Sequence, residues 1–347
     1  MRKVLYLLLI CCIYSCSQKN NEKVSYISAD VTSEIKGKLY LSEDIGLNTF
    51  YDISASDSLL YCLDFHNDTI LKIFAENGRT QQPELTGYSI KGEGPDDLLF
   101  PFFAYHIPQA GIPTKLIELN AWGMKELGKA QSHSLHRVSF DTAYSLPPIP
   151  VIKNYNETDS SIIGFDIDMQ HGLFFIYNKK KGYAQTIQYP HTLSEKYPKT
   201  SISSLLENQL LVNQKENRIA VGMLNMNILY LFDLEGDLQK EIVIGEHAEY
   251  PEVDTQYLDF PQSNKYFISF TGTENFLYGL YNGFSESSGH SRILKFTWDG
   301  ELIATMQTNM KLEKIIVRPD NSCIFGIKTT EEGGTDLFKF NLPGDDK

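Results

Sequence analysis

Arg292-Ile293-Leu294-Lys295-Phe296-Thr297-Trp298-Asp299-Gly300-Glu301-Leu302-Ile303-Ala304-Thr305-Met306 reads as two strands hinged on a tight turn. Apolar and β-branched residues fill both arms, and Asp299-Gly300 supplies the turn chemistry. Upstream, Phe276-Leu277-Tyr278-Gly279-Leu280 adds a third strand to the same unit. The design recurs along the chain. Arg218 to Val221, Ile228 to Phe232 and Gln239 to Ile244 repeat it around Glu235-Gly236. Ile162 to Phe165, Leu173 to Tyr177 and Ala184 to Ile187 repeat it around Lys181-Gly182. An apolar residue followed by a glycine four or five positions later marks the unit six times: Phe74 with Gly78, Leu119 with Gly123, Tyr177 with Gly182, Phe232 with Gly236, Phe296 with Gly300 and Phe340 with Gly344. The glycines recur 44 to 64 residues apart. A period near 40–50 residues, with several short strands per unit, is the signature of propeller blades.

A three- or four-stranded sheet of this kind cannot bury both faces alone, and radial packing of such sheets solves the problem. The expected fold is therefore all-β, a six-bladed β-propeller over 34–346, with blades near 46–90, 91–140, 141–195, 196–250, 251–308 and 309–346. The sixth unit is a strand short. Glu34-Ile35-Lys36-Gly37-Lys38-Leu39-Tyr40-Leu41 is the candidate to complete it and close the ring from the other end of the chain. No long stretch shows a sustained helical period. A two-sheet sandwich with insertions is the competing architecture, and the regular glycine spacing argues against it.

The first residues read as a processing signal. Arg2 and Lys3 precede an uncharged apolar run, Val4 to Tyr14, too short to span a bilayer. Ile13-Tyr14-Ser15-Cys16 has the anatomy of a bacterial lipobox. The expectation is a signal peptide over 1–15, acylation at Cys16 and a polar tether over 16–33. The partner so implied is a membrane held through a lipid on Cys16, and the location is the outer membrane of the cell envelope, on either its periplasmic or its surface face. The formal charge of −13 disfavours nucleic acid as a general partner. Cys62 and Cys323 sit in strand-like cores and are expected as buried free thiols, with a disulfide between them the alternative that an exported protein allows.

Gly92-Glu93-Gly94-Pro95-Asp96-Asp97-Leu98-Leu99-Phe100-Pro101 is the most distinctive local string. Gly92, Gly94 and Pro95 specify a sharp structural turn, after which Leu98 to Phe100 dives into the next sheet. Three carboxylates ride on the turn, but the ligand spacing of a calcium loop is absent. At this point the chain resembles the TolB-like six-bladed β-propeller lipoproteins of Gram-negative gut and oral bacteria. There a Gly-x-Gly-Pro segment with acidic residues follows the first blade, aspartate–glycine turns follow aromatic strand ends, and a lipobox precedes the propeller. Asp96-Asp97 stands where that family more often has a small residue and an acid. The resemblance implies the fold and the anchor; it brings no catalytic residues.

No motif carries a reaction. His133-Ser134-Leu135-His136 lacks further metal-ligand spacing and reads as loop histidines. Asp166 and Asp168 pair carboxylates on one strand face, where a solvated face is the commoner meaning. Ser285, Ser287 and His290 lie in a loop without a nucleophile elbow. No phosphate-cradling or dinucleotide loop occurs, and neither a metal nor a cofactor is indicated. Aromatics are plentiful, 20 Tyr, 20 Phe and two Trp. Most belong between blades. Trp122, Phe284, His290 and Trp298, beside turns or in the insertion at 283–291, are the candidates for binding. The expected function is a non-enzymatic envelope module that binds or scaffolds a protein, peptide or glycan through loops at one end of the ring. The alternative is an envelope hydrolase or lyase with its site at the channel mouth. Converging His, Asp, Glu or Arg there favours the enzyme; aromatics and amides favour binding.

Overall fold

The structure, a computed structural model, describes residues 23–42, 50–76, 82–104, 107, 114–119, 121–127, 135–146, 152–166, 172–192, 205–251, 265–283 and 289–343. Signal segment 1–15, Cys16, Gly78, His133, Asp168, Phe284 and Gly344 therefore lie outside the described residues.

Three short strands come first: β1 (Val24–Ile27), β2 (Ser33–Ile35) and β3 (Lys38–Leu41). Blade one follows as β4 (Phe50–Ala55), β5 (Leu59–Asp64), β6 (Thr69–Glu76) and β7 (Pro83–Ile90). Blade two comprises β8 (Pro101–Phe103), β9 (Lys115–Glu118), β10 (Gly123–Leu127) and β12 (Phe140–Ser145); between the last two, β11 (His136–Arg137) leaves to pair with β7. Blade three is β13 (Ile152–Glu157), β14 (Ser161–Asp166), β15 (Gly172–Asn178) and β16 (Tyr183–Gln188). Blade four is β17 (Asn208–Asn213), β18 (Arg218–Met223), β19 (Ile228–Phe232) and β20 (Leu238–Ile244). Blade five is β21 (Phe267–Gly272), β22 (Phe276–Tyr281), β23 (Arg292–Thr297) and β24 (Leu302–Thr308). Blade six has β25 (Lys314–Val317), β26 (Cys323–Thr329) and β27 (Thr335–Asn341), and β3 completes it. The six-bladed ring read from the glycine repeat is the observed fold, closed by the N-terminal strand as expected.

The first strands of the blades ring the axis, β4 beside β8 and β13 beside β17, then β21, β25 and again β4. Antiparallel alternation then fixes two ends. The crossovers between blades and the turns between second and third strands share one end, the crossover end. The remaining hairpins share the other, the hairpin end.

Among the described residues the buried apolar side chains form six cores, one at each seam between neighbouring blades. Strand periodicity builds them. On β17 to β20, Leu210, Val212, Tyr230 and Val243 face blade three. Leu211, Ala220, Leu229 and Ile242, one residue out of phase, face blade five. Both faces are buried, which is why these strands read as unbroken apolar runs rather than as alternating ones. Buried polar side chains on the innermost strands fasten one blade to the next. Asn156 Oδ1 accepts from Val212 N at 3.2 Å. Ser269 Oγ and Thr271 Oγ1 accept from Ile315 N and Val317 N at 3.2 and 3.1 Å. Asp52 receives Phe103 N at 3.2 Å and the Lys314 ammonium, so one carboxylate ties blades six, one and two. The Glu76 carboxylate takes Lys339 and Arg318 at the hairpin end of the closing seam.

The structure revises the N-terminal reading. Only β3 joins blade six; β2 pairs parallel with β24 of blade five and β1 parallel with β20 of blade four. The break falls at Lys36-Gly37. Gly37 N donates to Asn309 Oδ1 at 2.9 Å, and the glycine lies against the Phe340 ring, so the chain steps from one blade edge to the next there. Among the described residues the first strand is Val24–Ile27, ahead of residue 34, where the sequence placed the start of the propeller. Cys62 and Cys323 are buried and unpaired in the blade six–blade one core, and burial pushes both thiols up from their ordinary range.

Candidate functional site: an aromatic patch at the crossover end

Phe100-Pro101-Phe102-Phe103 enters blade two along its innermost strand. Side chains alternate across a strand, so Phe103 turns inward and is 2% exposed, while Phe100 and Phe102 share the other face at 53% and 38%. The expectation that the chain dives into the sheet through Phe100 is thus met by Leu98, which is fully buried, and not by Phe100. Tyr51 on β4 and Phe65 at the end of β5 meet the pair from blade one. Tyr51 and Phe65 are stacked, and Phe102 stands edge-on to both, its centroid 5.8 Å from Tyr51 and 6.0 Å from Phe65. Phe100 completes the group 6.1 Å from Phe65.

The patch is held from beneath. The buried Glu118 carboxylate accepts Leu99 N at 2.8 Å and Phe100 N at 3.0 Å, fixing the backbone that presents Phe100. Tyr51 Oη donates to the Pro101 carbonyl, so the one hydroxyl of the group is spent on the scaffold. The result is a rigid apolar surface across the blade one–blade two seam, with no free polar rim of its own making among these four rings. Chemically it suits contact with another apolar surface.

The acidic turn lies just before it. Gly94 N donates to Asp97 Oδ2 at 2.9 Å, and Asp97 N to the Gly94 carbonyl at 3.0 Å. Asp97 also takes Arg137, while Asp96 Oδ1 takes Phe140 N at 3.0 Å. Lys125 Nζ clasps the Pro95 and Asp97 carbonyls at 3.1 and 2.7 Å. Gly92, Gly94 and Pro95 thus form a turn whose two aspartates bind the fold itself.

Of the residues singled out for binding, the three that are described, Trp122, His290 and Trp298, do not share one place in the fold. Trp122 lies at the crossover end of blade two, half-buried against the blade two–blade three core. Its φ of 47° is left-handed, the backbone conformation that Gly182, Gly236 and Gly300 take in turns at the opposite end of other blades. His290 is exposed in the β22–β23 loop of blade five. Phe284 lies outside the described residues. Trp298 sits at the hairpin end and is 3% exposed, its Nε1 donating to the Thr273 carbonyl at 3.1 Å. Partial exposure, expected from its place beside a turn, is not found: Asp299-Gly300 folds against blade four, where Lys240 Nζ holds both carbonyls at 3.2 Å. The residues missed by sequence reasoning are Tyr51, Phe65, Phe100 and Phe102. Their one sequence signal was a phenylalanine pair at alternate positions after a rigid turn.

A second cluster occupies the blade three–blade four seam. His191 Nε2 lies 2.7 Å from Glu241 Oε2. Tyr230 Oη donates to Tyr189 Oη at 3.3 Å, and Tyr189 to Met226 Sδ at 3.5 Å. Burial keeps both phenols protonated, raising them far above their ordinary range. The rings touch edge to face, 5.6 Å from Tyr189 to His191 and 6.0 Å from Tyr189 to Tyr230, so the group fills its own space. Among the described residues no set of three His, Cys, Asp or Glu side chains is arranged to hold a metal ion.

No protein-family model matches this chain, and no curated protein does. Among solved structures, a protein of Bacteroides fragilis described as exported superposes on 92% of this chain and 99% of its own, at 11% identity and a TM-score of 0.50. A member of the DUF4221 family from Bacteroides vulgatus matches 90% of this chain and 99% of its own, at 12% identity and a TM-score of 0.41. The extracellular domain of a one-component system from B. thetaiotaomicron matches 90% of this chain, over 42% of the other, at 11% identity and a TM-score of 0.49. At such identities the likeness is one of fold. This chain is a six-bladed β-propeller similar in architecture to the exported protein.

Proposed function

We propose that this propeller is a non-enzymatic binding module of the cell envelope, anchored through an acylated Cys16, whose crossover end grips a protein or peptide. The observation that carries the reading is the pair Phe100 and Phe102, exposed at the entry to an innermost strand whose backbone is held by Glu118 and by pairing with β9. Desolvated aromatic anchors on rigid supports dominate protein interfaces. A glycan would need polar partners around the rings, and the only hydroxyl of the patch is already engaged. Export is supported by the lipobox-like Ile13-Tyr14-Ser15-Cys16, by the resemblance to TolB-like lipoproteins, and by fold likeness to a protein described as exported.

Two variants test it. Phe100→Ser with Phe102→Ser removes exposed rings and is expected to leave the fold intact by circular dichroism. Envelope proteins crosslinked to the wild-type chain are expected to be lost with this variant; an unchanged crosslinking profile overturns the patch as the site. Cys16→Ala is expected to abolish labelling by radioactive palmitate and to release the chain from the membrane fraction, and retained labelling overturns the anchor.

A further inference from the structure

The outer edges of the blades are not alike. The fourth strands of blades one, four and five each carry a fifth strand from this same chain, and in all three the addition is parallel: β11 on β7, β1 on β20 and β2 on β24. Where β1 pairs with it, from Glu241 to Ile244, β20 is buried. Among the described residues the edge of blade three has no such cover. Tyr183, Ala184, Gln185, Thr186 and Gln188 of β16 are all exposed, and only Ile187 turns into the core.

An open edge presents a row of unpaired backbone groups, and natural sheets blunt theirs with charge, proline, bulges or brevity. The other uncovered edges are blunted. Edge strand β3 of blade six spans four residues and carries Lys38. Edge strand β12 of blade two carries Asp141 and meets a bulge at Met124/Lys125. By contrast β16 is six residues long without a charge or a proline, and its pairing with β15 is regular from Tyr183 to Ile187.

We propose that β16 is an acceptor edge for parallel strand addition by an extended peptide, a second interaction surface independent of the aromatic patch. The chemistry of the peptide follows from the flank. Lys180 and Lys181 are exposed in the turn before β16, and Lys181 Nζ lies 5.8 Å from the Tyr183 ring centroid. Lys179, in the same turn, is already paired with Glu157. In a parallel addition the incoming N-terminal end lies at this turn, as Val24 enters β1 from the hairpin end of β20. The partner is therefore acidic at its N-terminal end and continues in β-branched and aromatic residues. Backbone pairing supplies the affinity and the lysines fix direction.

The probe is a pool of octapeptides, two aspartates followed by six positions drawn from Val, Ile, Thr, Tyr and Ser, added to the full chain. Binding by fluorescence anisotropy is expected with slowed amide exchange confined to 183–188. Methylating alternate backbone nitrogens of the pool, which blocks strand pairing at unchanged side chains, is expected to weaken binding at least about tenfold. Lys180→Glu with Lys181→Glu is expected to weaken it about tenfold and to shift preference towards a pool headed by two lysines. Three results overturn the proposal: no protection of 183–188 at millimolar pool, equal binding of the methylated pool, or sedimentation showing that the edge is already closed by a second copy of the chain. The Phe100→Ser/Phe102→Ser variant is expected to bind the pool as wild type does, which separates failure at this edge from failure at the patch.

Discussion

Tyr51 and Phe65 lie face to face, ring centroids 3.7 Å apart and planes 3° from parallel. Tyr51 lies on β4 and Phe65 just after β5 of blade one, and Phe102 of blade two stands edge-on to both. The stack is the floor on which the exposed phenylalanines rest, so floor and surface respond differently to substitution.

Tyr51→Phe keeps the stack and removes the hydrogen bond to the Pro101 carbonyl. A net hydrogen bond contributes about 1 kcal/mol, and urea denaturation should find a loss of that order with partner binding preserved. Phe100→Ser should change stability by less than about 0.5 kcal/mol, as surface substitutions do, while weakening binding. A stability loss as large as that of Tyr51→Phe would show that Phe100 is part of the core.

The Asp52 carboxylate is the tie between blades six, one and two. Asp52→Ala removes the carboxylate that pairs with the Lys314 ammonium and accepts Phe103 N. Breaking one partner from a buried pair costs about 3–5 kcal/mol, with the lower figure expected because Lys314 keeps some access to water. Asp52→Asn retains an acceptor and should cost less. Chemical denaturation of the two variants measures the difference, and equal losses would refute the contribution of the retained acceptor.

Stability should also fall in acid through Glu76. Burial pulls its carboxyl upward, but hydrogen bonds and charge from Lys339 and then Arg318 outweigh this and hold it below the ordinary value of 4.5. A carboxyl depressed on folding contributes stability that is present above its unfolded value and lost as pH falls through the folded one. Wild-type stability measured from pH 6 downward should therefore decline below about 4.5 more steeply than that of Glu76→Gln. Parallel curves would remove Glu76 from the account.

Two glycine turns should differ in their tolerance of alanine. Gly182 and Gly236 have φ of 70° and 91°, a region costing an L-residue about 1–2 kcal/mol. A methyl on Gly182 meets open space, so Gly182→Ala should lose no more than that strain. A methyl on Gly236 meets Ile187 and Ile176 across the seam with blade three. Overpacking adds about 1–3 kcal/mol, and thermal denaturation should rank Gly236→Ala clearly below Gly182→Ala.

Deleting 24–42 removes the last strand of blade six and the cover of two other edges, and should lower the melting temperature sharply. Deleting only 24–35 spares β3 and should cost less. If the two truncations melt alike, closure by β3 is not what holds the ring.

Much of this was legible in the chain itself. Strand runs and glycine turns such as Glu235-Gly236 and Asp299-Gly300 are local chemistry, and their recurrence is enough to require a ring of small sheets. The short sixth unit even announced that a strand must come from the other terminus. Local pattern failed where the outcome depended on neighbours. Trp298 and Phe100 each adjoin a turn, yet one is buried against blade four and the other stands in water, because exposure is set by which blade lies across the seam. The same holds for the edges. Ser33 to Ile35 and Tyr183 to Gln188 are equally strand-like as sequence, but a strand's backbone groups carry no record of what will pair with them. The sequence determined the number of blades and their turns, since these follow from residue type and spacing. The tertiary structure alone decided which phenylalanines face out and which blade edge stays open, since both depend on packing between segments far apart in the chain.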